Sequence, residues 1–119
     1  MHTPKDAKEN FEKFIAKEKF VKENHYPGIG IEKLKPILTD KINLAAKDFL
    51  FVSQMEKPTD SIYLEKIAIG TKRFSDVYLD IDTEDRERIC GYFMELMDIV
   101  ELQSSNGLLM KFMYNISLE

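Results

Sequence analysis

The chain has 119 residues, of which 44% are hydrophobic, 11% aromatic and 32% charged, with a formal net charge of −4. That composition excludes disordered, collagen-like and low-complexity proteins, and a chain of this length hides about two-thirds of its unfolded surface without disulfides or metal. Its single cysteine, Cys90, cannot form an internal disulfide, and no basic start followed by an apolar run and a cleavage site opens the chain, so a reducing, cytoplasmic setting is expected.

Uncharged stretches such as residues 49–55 and 103–110 fall far short of the roughly 20 apolar residues that span a bilayer, so no membrane role is expected. The charge is uneven. Residues 1–79 carry 14 Lys or Arg against 12 Asp or Glu, a net of +2, whereas residues 80–119 carry 3 against 9, a net of −6. Without a basic stripe, nucleic acid is not an expected partner, because clustered Lys and Arg supply most of that affinity.

Thr3-Pro4-Lys5-Asp6 reads as a helix start, with a hydroxyl cap, proline at the first position and an acid near the positive end of the dipole. Ala7, Phe11, Phe14, Ile15 and Val21 recur at helical spacing while Lys8, Glu12, Lys13, Lys17 and Lys19 fill the other face, predicting a first helix to about Glu23. The stretch from Asn24 to Gly30 holds Pro27, Gly28 and Gly30 and is the clearest loop. One helical turn is predicted over 31–34, and Pro36 restricts Lys35 to extended conformations, predicting a break or kink there.

Leu38, Ile42, Ala45, Phe49 and Val52 mark a second helix to about Gln54. Lys57-Pro58-Thr59-Asp60 supplies a stop and a new start, and Tyr63, Ile67, Gly70, Phe74 and Val77 then share one face of a third helix. Gly70 costs about 1 kcal/mol relative to Ala inside a helix, so a closely approaching neighbour is expected there. A fourth helix follows an Asp or Thr cap in the 80–85 stretch, with Ile89, Cys90, Phe93, Leu96, Met97 and Val100 as its apolar stripe. Ser104-Ser105-Asn106-Gly107 ends that region, Asn106 or Gly107 being able to turn left-handed. Residues 108–116 fit a short helix or an extended arm.

Asp82-Thr83-Glu84-Asp85-Arg86-Glu87-Arg88, Tyr92 to Val100 and Ser104 to Leu109 together resemble a family of small bacterial proteins catalogued only as a domain of unknown function. Ile42 to Phe49, Pro58-Thr59, Tyr63 and Arg73-Phe74 extend the likeness over residues 30–115. The resemblance implies a bacterial source and a helical fold, and brings no activity, cofactor or catalytic residue. Where the family is expected to carry glycine this chain has Glu101, so a tight turn after Val100 is not expected.

The acidic run Asp80, Asp82, Glu84, Asp85 and Glu87 could hold a hard cation or face a basic partner, but helix capping accounts for most of it. An EF-hand loop starting at Asp80 would need glycine where Asp85 stands and glutamate where Gly91 stands. His25 and Tyr26 sit in the Pro- and Gly-containing loop, a usual place for binding residues, yet one histidine there makes neither a zinc site nor a complete acid–base pair. Cys90 on its apolar stripe reads as a core residue, since a nucleophilic thiol needs exposure and an activating partner. Met94 and Phe51 fall off the core stripes and suggest apolar surface available to a protein partner or a homodimer.

No GxxxxGK[ST], GxGxxG, HExxH, CxxC or GxSxG is present, so no cofactor and no metal are expected. The expected architecture is a single all-α domain over 1–119, a compact bundle of four main helices with an irregular crossover and a C-terminal arm. The expected function is a non-catalytic interaction module of the regulatory or immunity type. The alternative is a metal binder or enzyme using Asp80, Asp82, Asp85 and His25.

Overall fold

The computed structural model describes residues 3–23 and 26–114. These form five α-helices: α1 (Ala7–Ala16), α2 (Lys35–Ser53), α3 (Asp60–Lys72), α4 (Thr83–Ile99) and α5 (Leu108–Tyr114), with 3-10 turns at Glu32–Leu34 and Tyr78–Asp80. Among the described residues there is no strand, only an isolated antiparallel bridge between Glu23 and Tyr26. The all-α class is the expected one, and the C-terminal arm is the short helix α5.

The long helix α2 is the hub, packing against α1, α3 and α4. Its stripe Leu38, Ile42, Phe49 and Val52 is fully buried in one core with Phe11 of α1, Tyr63 and Ile67 of α3, and Phe93 and Leu96 of α4, the Phe49 ring meeting those of Phe11 and Tyr63. Each such side chain contributes about 1.5–3 kcal/mol by leaving water, so the stripes hold the fold together. Gly70 is the close approach its position in a helix implied: a Cβ there would lie 2.9 Å from two ring carbons of Phe93. Polar clamps finish the α2–α3 contact, with Arg73 paired to Asp48 at 2.9 Å and Lys41 donating to the Arg73 carbonyl at 2.8 Å.

Four expectations are corrected. The first helix begins at Ala7 rather than at Pro4 and stops at Ala16, short of Glu23. Lys17 is extended and Phe20 turns left-handed at φ 61°. Lys19, expected on the wet face, is buried, and its ammonium donates to the carbonyls of Phe14 at 2.5 Å and Lys17 at 3.1 Å, capping the end of α1. Phe20 packs edge-on to Tyr92 and gives its N–H to the Tyr92 hydroxyl at 2.7 Å. Tertiary partners outweigh helix propensity over these residues.

Lys35, in second place, is helical at φ −53° and ψ −52°, and α2 runs through Pro36 unbroken. Proline in a first turn lacks only an N–H that has no partner there anyway. Third, α3 ends at Lys72, so the buried Phe74 and Val77 lie in the turns beyond it. Fourth, a tight turn does follow Val100: Glu101 adopts φ 59°, Leu102 N–H donates to Met97 O at 2.9 Å and Glu101 N–H to Asp98 O at 3.2 Å. This is the helix end that glycine ordinarily makes, built here with a glutamate. Asn106 and Gly107 are both left-handed, at φ 54° and 85°, as expected.

Candidate functional site

The acidic start of α4 is largely occupied by its own structure. Asp82 caps the helix by accepting from the Asp85 N–H at 2.8 Å. Asp85 is only 2% exposed and accepts from the Tyr26 hydroxyl at 2.7 Å. Burial first, and the Asp85 bond second, push the Tyr26 phenol far above its ordinary range. Gly30 leaves room for the pair, since a Cβ there would sit 3.1 Å from Asp82 Oδ2.

The structure places Asp85 and Tyr26, both expected as binding residues, in a buried hydrogen bond between the loop and α4. Asp80, Glu84 and Glu87 are exposed, and among the described residues no three His, Cys, Asp or Glu side chains gather where a metal ion would fit. His25 lies outside the described residues. Met94 is 56% and Phe51 68% exposed, so both present apolar surface. Cys90 is half-buried, with its Sγ facing the Leu109 carbonyl at 3.7 Å. Burial, aided by Glu87, raises its thiol to about 11, so it stays neutral and unreactive at physiological pH.

What the sequence did not disclose is a groove of about 590 Å³ between the last turns of α3, the 3-10 turn at Tyr78–Asp80 and α5. Tyr78, Leu108 and Phe112, with Thr71, are its less exposed lining, and Lys72, Leu79 and Lys111, with Ala68 and Ser75, are its exposed lining. Leu79 is 90% exposed.

The walls are held by bonds from three directions. Arg86 of α4 stacks its guanidinium 4.1 Å from the Tyr78 ring centre and donates to the Tyr78 carbonyl at 2.8 Å. The Tyr78 hydroxyl in turn donates to the Phe112 carbonyl at 2.6 Å, and the two rings meet edge to face. Phe112 also packs on Phe74, at 5.8 Å between centres. A helix as short as α5 is unstable alone, so these contacts set where its groove-facing side chains stand. A second, shallower depression of about 340 Å³ beside Lys13 and Asp98 contains the ion pair Lys17–Glu95 and is mixed in charge.

Among the described residues, five packed helices and a partly apolar groove between α3 and α5 define an all-α protein with a cleft between helices. The chain belongs to the family described as Domain of unknown function (DUF4844), which it matches over residues 2–117. It is also similar to a DUF3571 family protein from Acinetobacter baumannii, known from a crystal structure, with 32% identity, a TM-score of 0.83, and coverage of 92% of this chain and 89% of that one. No curated protein matches the chain.

Proposed function

We propose that the protein is a non-catalytic protein-interaction module that docks its partner in the groove between α3 and α5, in a regulatory or immunity-type role. The observation that carries this reading is Leu79, a leucine 90% exposed on a groove whose lining also includes the apolar or aromatic side chains of Tyr78, Leu108 and Phe112. A single exposed leucine means little, but one that lines a preformed apolar cleft is what a docking surface looks like before its partner arrives. The cleft is rigidly framed, since Arg86, Tyr78 and Phe112 fix its walls to one another. A bacterial cytoplasm is the expected setting, supported by the Acinetobacter relative and by a sequence with a single cysteine and so no internal disulfide.

The test is co-purification from the source cell with the tagged protein and its Leu79→Asp variant, whose exposed position leaves the fold intact. A partner retained by the native protein and lost by the variant is the expected result. No partner, or equal retention by both, combined with a monomer at high concentration, overturns the reading.

A further inference from the structure

We infer that the groove takes an acidic amphipathic peptide segment, its apolar side chains seated on Leu108, Phe112 and Leu79 and its carboxylates on Lys72 and Lys111. This rests on the groove being the docking surface and names the chemistry of what docks there. The chain has 21 Asp or Glu against 17 Lys or Arg, yet among the described residues the groove is lined by two lysines and no carboxylate. Neither lysine is in an ion pair among the described residues, a state they share with other exposed lysines such as Lys33 and Lys47, but these two alone line the groove. Two uncommitted cations flanking an apolar cleft complement a segment that carries acids beside its apolar anchors.

A second copy meeting the groove through the same face does not satisfy that chemistry. A two-fold contact places each patch against itself, so Lys72 and Lys111 would meet lysines. Opposite charge has to come from a surface other than the groove itself. The position of the lysines at exposed edges gives them the role of selecting and steering a partner, while the apolar lining supplies the contact area.

The experiment is selection of a displayed library of random 15-residue peptides on the full-length protein, repeated on a Lys72→Glu, Lys111→Glu double variant. Selected peptides are then made synthetically and measured by fluorescence anisotropy, with Leu79→Asp as the test of location. The inference expects peptides enriched in Asp and Glu beside apolar residues, binding about tenfold weaker to the double variant than to the native protein, with the native affinity falling as salt rises and the gap between the two narrowing. Peptides selected on the double variant should be enriched in Lys and Arg instead.

Binders that are neutral or basic on the native protein, or acidic binders indifferent to both lysine changes, overturn the inference while leaving the docking reading intact if Leu79→Asp abolishes binding. Binders indifferent to Leu79→Asp, or a selection that returns none, overturn it as well. A dimer that Leu79→Asp dissolves names a second copy as the occupant and also overturns it. Melting of each variant by circular dichroism, expected unchanged because all three positions are exposed, separates lost binding from lost fold.

Discussion

The hydroxyl of Tyr26 donates to Asp85 Oδ1 across 2.7 Å inside the protein, joining the loop ahead of α2 to the first turn of α4. Removing the donor leaves a buried carboxylate short of a partner, which costs about 1–3 kcal/mol. Tyr26→Phe is therefore expected to lower stability by that amount in urea unfolding at pH 7. The phenol is held above its ordinary 10.0 in the folded protein. A raised folded value means its contribution is complete below that ordinary value and is lost as pH climbs past it, because only the unfolded chain then releases the proton. The gap between native and Tyr26→Phe stability should accordingly shrink above pH 10.

Lys19 gives the opposite slope. Its ammonium is buried under α1, and desolvation, with Lys17 nearby, lowers it to about 8 from 10.5. Between those two values the unfolded chain binds a proton that the folded one does not, so stability attributable to Lys19 rises with pH across that window. Lys19→Met loses the bonds to the Phe14 and Lys17 carbonyls. The expected cost is about 1–3 kcal/mol at pH 7, widening toward pH 10.5, read from urea midpoints of both proteins on one pH series.

Local rules reached much of this fold and little of its site. Asp82 as a cap, Gly70 beneath Phe93 and the Asn106–Gly107 turn each follow from one residue and its immediate neighbours. Lys19 and Phe20 did not, because their partners are carbonyls at a helix end and a tyrosine 72 positions away, and no periodicity carries that information. Asp85 looked like one more exposed acid of a capping run until Tyr26 closed over it. The groove was the least visible, being assembled from three segments whose lining residues Lys72, Leu79 and Lys111 are unremarkable in their own neighbourhoods.

Glu101 holds a left-handed conformation, φ 59°, at the end of α4 with its side chain exposed. A residue with a Cβ pays about 1–2 kcal/mol there, and glycine recovers most of that while adding freedom to the unfolded chain. Glu101→Gly is expected to stabilise the protein by about 0.5–1 kcal/mol, measured as a rise in thermal midpoint with the circular dichroism spectrum unchanged.

Asp82 and Asp85 are engaged in the cap and the Tyr26 bond, which leaves the α4 start poorly equipped to chelate. Calcium, magnesium and manganese at millimolar concentration are expected to leave the melting temperature unchanged. A cation bound at 100 times its Kd would instead stabilise the fold by about 2.7 kcal/mol.

Amide chemical shifts of the labelled protein, followed while a selected acidic peptide or the purified partner is added, locate the docking surface directly. Perturbations concentrated at residues 68–79 and 108–112 are the expected result, with Leu79 and Lys111 among the largest. Perturbations confined to residues 80–87, or to the exposed faces around Phe51 and Met94 with the groove silent, would contradict it.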